Sequence, residues 1–368
     1  MNKWLRLGLL VVGLGAFAYF IFDADPAKIK AAFVGEPLMD LNGNDSWDEG
    51  EAFEDVIANK KYNRGLGWLG LLVLIPYAVV FTIDTIGWTF TFGPTALKGI
   101  PFRTVWSIRL IGEAINNVIP SMYVGGETAK VYLLKRRGVT VMAATSAAVR
   151  SKTAQSVAQS TFVALGAAVT AYSLPDAAAA TKWAFAGIAL LGVTITILLF
   201  KIQKRGIFTT LMGWVRKLGF KLKSLVAKEE KIRELDDEIY VFYNRDKKHF
   251  RRCTATYLVG WIFDTVEIMV VAHLLGVDMA WSDAFAMEAF ISVARGFNVF
   301  VPGSLGVQEF GIVGLFTLFG YGPDLGMVYA IVRRGRDVIF AGLGWALLYL
   351  GEASWKGMRE EIKEAEET

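Results

Sequence analysis

The sequence predicts an all-α, polytopic membrane protein, with about six full spans and two re-entrant helical hairpins that form an inverted repeat. Three observations lead there. The composition is that of a membrane chain: 54% of the 368 residues are hydrophobic and 20% are charged, with a mean hydropathy of +0.40, a balance soluble domains rarely reach. The apolar residues are gathered into runs, as a bilayer core demands. Two of those runs are interrupted near their middle by proline, glycine and ionisable residues.

Taken in order, residues 1–22 contain the apolar run Trp4–Phe22 and read as a retained first span. The run is longer than the apolar stretch of a signal peptide and no clean small-residue cleavage site follows; a signal peptide is the alternative. Residues 23–65 form an acidic loop. The first membrane half, 66–200, holds spans at Gly67–Phe90, Thr153–Leu174 and Trp183–Phe200, with a broken segment at 105–134. Residues 201–253 are a basic linker. The second half, 254–350, holds spans at Thr254–Gly276 and Leu325–Leu350 around a broken segment at 283–319, and 351–368 read as a short charged tail.

Charge orients these pieces. Basic loops stay in the cytoplasm, so the linker 201–253 faces in and the acidic loop faces out. Lys3 and Arg6 place the N-terminus inside, and counting spans places the C-terminus inside as well. The location expected is a bacterial-type plasma membrane. Nucleic acid is excluded as a partner, because the basic residues adjoin membrane spans; membrane lipid is the partner expected instead. Within the linker, Phe208, Leu211, Met212, Val215 and Leu218 recur at helical spacing beside Arg216, Lys217 and Lys221. That pattern fits a helix lying on an anionic leaflet, or a solvated connector. Cys253 is alone, which excludes an intramolecular disulfide, and His249 and His273 are too few for a histidine-based metal centre.

The two broken segments share a pattern. The first contains Asn116, Pro120 and Glu127, the second Asn298, Pro302 and Glu309; both read Asn-x3-Pro-x6-Glu with glycine inside the loop. With the topology above, one hairpin opens inward and the other outward, the signature of alternating access.

Ionisable residues inside apolar segments cost about 2.5–3.5 kcal/mol each on insertion scales, so they face a cavity and pair. Beside those in the hairpins they include Asp84, Arg150, Lys152, Asp264, Glu267, His273, Arg333, Arg334, Arg336 and Asp337. Singly, each is equally readable as a structural ion pair; together they imply a polar interior. Arg109 and Glu113 share a helical face with Asn116 and Asn117 beyond them, and Arg295 shares one with Asn298. An arginine fork beside backbone N–H groups freed at a helix break suits a phosphate. The candidate substrate-binding set is therefore Arg109, Glu113, Asn116, Asn117, Glu127, Lys130, Arg150, Lys152, Asp264, Glu267, Arg295, Asn298, Gln308, Glu309 and Arg334. Asp264 and Glu267 suit a substrate amine or coupling protons, or else only neutralise nearby arginines.

The stretch Gly112–Gly138 and the run from Pro302 to Glu309 resemble the flippase-like membrane family related to the transmembrane domain of lysylphosphatidylglycerol synthase. The hopanoid-associated branch is similar too, at Gly125, Gly126 and Glu127. The resemblance follows the span order over nearly the whole chain. It implies that Asn117, Pro120, Gly126, Glu127 and Lys130 form the first functional patch, with lysine where arginine is common. An acid–arginine pair is usual in the helix after the first hairpin; here Arg150-Ser151-Lys152 lacks the acid, which bears on substrate identity. The resemblance implies lipid translocation without ATP hydrolysis by the chain. No synthase domain is expected, since only a short tail follows the last span.

The outer loop carries a separate motif. Asp40, Asn42, Asn44, the Ser46 carbonyl, Asp48 and Glu51 fall at the oxygen-ligand positions of an EF-hand loop. Asp45 stands where glycine is expected for the tight turn, a weakening that aspartate tolerates better than most residues. Calcium of modest affinity is the expected cofactor; the alternative is a solvated acidic loop. The function expected is a lipid transporter or flippase with no catalytic residues. Two alternatives stand beside it: a membrane enzyme using Glu127, Glu309 or Asp264 as acid or base, and a calcium-responsive scaffold. Against the enzyme, the sequence has no HExxH and no P-loop.

Overall fold

The structure, a computed structural model, describes residues 26–37, 52, 54–55, 64–93, 95–118, 124–173, 179–204, 229–296 and 306–351. Among them every regular element is a helix, as an all-α chain requires. In chain order these are α1 (Pro26–Val34), a 3-10 turn (Gly67–Val73) running into α2 (Leu74–Thr89), α3 (Phe102–Val118), α4 (Val124–Lys135), α5 (Val141–Ser173) and α6 (Ala179–Lys204). After the linker come α7 (Glu229–Asn244), α8 (Lys247–Phe263), α9 (Thr265–Leu274), α10 (Trp281–Gly296), α11 (Val307–Leu318) and α12 (Pro323–Leu350). The expected first span Trp4–Phe22, the stretch Ile207–Val226, the tail from 352 and both hairpin prolines lie outside the described residues.

Two of the expected spans coincide with helices long and apolar enough to cross a membrane: Gly67–Thr89, of 23 residues, and Lys247–Leu274, of 28 residues. Ala179–Thr194 and Val307–Leu318 are apolar but shorter. Helices α5 and α12 have the length, 33 and 28 residues, but their middle turns carry charge at Arg150 and Lys152, and from Arg333 to Asp337. Pro76 sits where the 3-10 turn gives way to the α-helix, in the first turn of α2. Helix α3 is described as far as Val118, two residues before Pro120 in the sequence.

The broken segments are helical pairs in the structure, and the two pairs match in length. Helices α3 and α4 have 17 and 12 residues; α10 and α11 have 16 and 12. Each pair packs arm against arm.

The chain divides into two compact units. One comprises residues 1–79, 165–177 and 262–339, and so contains α1, α9, α10, α11 and most of α12. Its core gathers Ala32, Leu66, Ile268, Met287, Phe316 and Tyr329. Gly166 of α5 lets that helix close on α10, since a Cβ there would lie 2.3 Å from the Ala289 Cβ. Both ends of the acidic loop are fixed to this unit: a Cβ on Gly65, whose φ is +74°, would fall 2.3 Å from the Gly35 nitrogen. Leu66 N–H donates to the Ala32 carbonyl at 2.7 Å, and Lys28 of α1 reaches Asp324, in the first turn of α12, at 2.8 Å.

The second unit comprises residues 80–164, 178–261 and 340–368. One core sets Trp88, Ile115, Leu134 and Leu348 together, another Ala158, Phe242, Cys253 and Tyr257. Both units place polarity inside and hydrocarbon outside. Trp68, Leu69, Ile75, Trp183, Leu190, Val338 and Leu350 are exposed while Glu267, Glu288, Glu309, Arg333 and Arg336 are buried. A bilayer, not water, is the solvent that suits such a surface.

Candidate functional site: two buried charge clusters

In the second unit, α2, α3, α4 and α5 bring together most of the predicted residues of the first half. Arg109 donates to Asp84 at 3.0 Å and stacks over Phe81, 5.0 Å from the ring centroid. Glu113, one turn on, turns to the second arm, where Lys130 lies 3.5 Å from it and 2.7 Å from Glu127. Lys152 of α5 approaches the same Glu127 oxygen at 3.6 Å with 43% of its side chain exposed. Asn116 accepts a hydrogen bond from the Gly126 N–H at 2.9 Å and so ties the two arms. Arg150 takes another direction, donating to the Thr91 carbonyl at 3.1 Å and stacking over Phe242. Asn117 is on the exposed side of α3. Four cations and three carboxylates thus share this unit's polar interior.

The cluster in the first unit is more deeply buried. Glu288, 0% exposed, accepts two hydrogen bonds from Arg333, at 2.9 and 3.0 Å, and one from Arg295. Arg295 also donates to Asp264 at 2.8 Å. Arg336 pairs with Glu267 and with Asp337 and stacks 4.0 Å from the Tyr77 ring centroid. Arg333 further donates to the Tyr329 hydroxyl at 2.6 Å. Charges of this depth are tolerable only when paired, because the interior offers no water to solvate them. Asp264 and Glu267 each pair with an arginine through one oxygen.

Glu309 links this cluster to the hairpin break. One of its oxygens accepts from the Gly306 N–H at 2.7 Å, capping α11 at a residue with φ +78°, and the other accepts from Arg334. Gln308 is buried beside it. Asn298 lies outside the described residues, as do Asp40, Asn42, Asn44, Ser46, Asp48 and Glu51 of the calcium motif. Among the described residues no cluster of three or more metal-ligating side chains occurs.

The match in spacing between the two segments reaches further than their shared motif. Arg334 follows Glu309 by 25 residues, and Lys152 follows Glu127 by the same interval; each cation meets its glutamate. In both halves an arginine on the first arm also pairs with an aspartate of the preceding helices, Arg109 with Asp84 and Arg295 with Asp264.

Sequence reasoning named Asp84, Glu288, Arg333, Arg336 and Asp337 as intramembrane charges but carried none into the candidate site. The signals were present: Arg333 and Arg336 are three apart, and Glu288 and Arg295 seven apart, spacings that share a helical face. The aromatic partners Phe81, Tyr77 and Phe242 had no such signal, because an aromatic residue in an apolar run looks like any other core residue.

Neither the curated proteins nor the solved structures give a match to this chain. Its buried charges and apolar exterior agree with the family whose model matches it. Residues 53–344 match the lysylphosphatidylglycerol synthase TM region, and the chain belongs to that family of membrane proteins.

Proposed function

We propose that the chain moves a lipid, or a lipid-linked anionic headgroup, between the two leaflets of a bacterial-type plasma membrane, with no ATPase and no catalytic residue of its own. Both termini are cytoplasmic in this reading, and the two hairpins act as inverted repeats. The observation that carries it is the pair of matched contacts, Glu127 with Lys152 and Glu309 with Arg334. Each joins the first turn of a hairpin's second arm to the helix that follows. Such contacts can open when a phosphate competes for the cation, which makes each hairpin a gate controlled by substrate. Lys152, half exposed and 3.6 Å from its partner, is the cation best placed to meet a headgroup first.

The test is dithionite access to fluorescent phosphatidylglycerol in liposomes that contain the purified protein. Glu127→Gln and Glu309→Gln are each expected to slow the movement by roughly tenfold or more, equivalent to raising its barrier by ~1.4 kcal/mol. Wild-type movement unchanged in both variants would sink the two-gate reading. Movement absent even from wild type, with several headgroups tried, would return the chain to the enzyme and scaffold alternatives.

The acidic loop is assigned to calcium under the same reading, as a site that orders or regulates the outer face. The close ends of the loop at Gly35 and Gly65 support it, since a loop whose ends are already held together loses less entropy on binding an ion. Terbium, a luminescent stand-in for calcium, is expected to be sensitised by Trp47 and displaced by calcium at about 10⁻⁴–10⁻³ M. Asp48→Ala should abolish the signal; a signal that survives it would place the ion elsewhere.

A further inference from the structure

We infer that Asp264 and Glu267 hold one monovalent cation between them, a proton or a sodium ion, and that the gradient of this ion drives the lipid movement proposed above. Only the second half of this inference rests on that function; the ion site stands on geometry.

The buried charges of the first unit form a chain of alternating sign. Asp264 meets Arg295, Arg295 meets Glu288, and Glu288 meets Arg333. Arg333 is followed one turn on by Arg336, which meets Glu267. Two neighbouring places break the alternation. Between Arg333 and Arg336 the excess positive charge is answered by Asp337 and by the faces of Tyr77 and Tyr329. Between Asp264 and Glu267 the described residues provide no answering cation.

These two carboxylates are three residues apart, and the backbone at Asp264 is right-handed helical, with φ −56° and ψ −27°, so they lie one turn apart on one face. Each uses one oxygen on an arginine. The other oxygens, Asp264 Oδ1 and Glu267 Oε1, are buried and have no hydrogen-bond partner among the described residues. Thr265 Oγ1, in the same turn, is a third buried oxygen without one among them. Asp264 is 3% exposed and Glu267 1% exposed, so both carboxylates are removed from bulk water.

Asp264, Glu267, Glu288 and Asp337, the last a quarter exposed, face Arg295, Arg333 and Arg336, four carboxylates to three guanidinium groups. A cation seated between the two would be met by the carboxylate oxygens that the arginines leave unused.

The first test needs no lipid substrate. Thermal unfolding of the purified full chain in detergent is followed at pH 8 with sodium chloride replaced stepwise by choline chloride. A sodium site gives a saturable rise in midpoint that Glu267→Gln removes. A proton site gives no sodium effect, but a protonated-carboxyl infrared band at pH 7 that Glu267→Gln or Asp264→Asn abolishes. Absence of both signals from the wild-type protein overturns the site, whether or not the variants fold. Lipid movement in liposomes is then compared with and without an inward gradient of the ion found. Acceleration by the gradient is expected. An ion that binds while the gradient changes nothing overturns the coupling, and absence of all movement overturns the transporter reading while leaving the ion site as the first test found it.

Discussion

Glu288→Ala is expected to be the most damaging single substitution in the first unit, lowering stability by about 3–5 kcal/mol, the range for removing one partner of a buried ion pair. Glu288 is wholly buried and accepts from two arginines that come from different parts of the chain, Arg295 of α10 and Arg333 of α12. Its removal leaves Arg333, 1% exposed, with only the Tyr329 hydroxyl as an acceptor among the described residues. Arg295 keeps Asp264, so the damage concentrates on Arg333. The second substitution Arg333→Met should therefore restore much of the loss, because an apolar side chain of similar length needs no counter-charge. Unfolding of the four proteins of this cycle in mixed detergent measures the coupling, expected at about 0.5–3 kcal/mol. A Glu288→Ala protein as stable as wild type would mean that Arg333 reaches solvent, and the cluster would no longer count as buried.

Asn116 and Asp264 show how far the sequence reaches. The four helical arms of the broken segments were legible because apolar runs of helical length flank the proline and glycine, a signal local to the chain. Their outer bounds came within a few residues, 102–135 against 105–134 and 281–318 against 283–319. The charged residues were legible as a set for a similar reason: a carboxylate or guanidinium within an apolar run has a cost that demands an explanation. What pairs with what was not legible. Arg109 and Glu113 share a helical face, and the sequence read them together as a headgroup clamp; in the structure Arg109 turns to Asp84 and Glu113 to Lys130. Partner choice depends on which helices become neighbours, and helical periodicity says nothing about that. The interval of 25 residues from Glu127 to Lys152 and from Glu309 to Arg334 is the exception. It stands in the sequence, and extending the aligned motif through the next helix would have found it.

The contacts of the two glutamates also decide how each hairpin gate would work. Glu309 is held from both sides, by the Gly306 N–H on one oxygen and by Arg334 on the other, so a movement of the glutamate itself would also uncap α11. Glu127 is shared between two lysines and caps nothing in the described structure. The two gates are alike in spacing but not in what they release. The glutamate that holds a helix start is expected to be the slower to open, and Glu309→Gln should then alter lipid movement more strongly than Glu127→Gln.

Gly126→Ala is expected to separate the arms of the first hairpin, at a cost of about 3 kcal/mol, the upper end for overpacking a tight contact. The arms α3 and α4 approach through two glycines. A Cβ on Gly126 would lie 2.1 Å from the Gly112 carbonyl oxygen and 2.4 Å from the Asn116 side-chain oxygen. The first obstacle is backbone and cannot rotate away. Trimming the second by Asn116→Ala should therefore fail to rescue the variant, and it would also remove the 2.9 Å bond that ties the arms. Gly112→Ala is expected to be milder, since its nearest obstacle is the Lys130 side chain at 2.5 Å, which can move, although the Gly126 carbonyl oxygen at 2.9 Å still resists. Gly314→Ala is the control: it stands within α11 with nothing inside 4 Å of its Cβ position, and alanine there should gain up to ~1 kcal/mol from helix propensity. Thermal unfolding of the three variants in detergent ranks them. Equal midpoints for Gly126→Ala and Gly314→Ala would mean that the arms do not touch at Gly112, and the charge contacts of Lys130 with Glu113 and Glu127 would then lack the close approach that sets them.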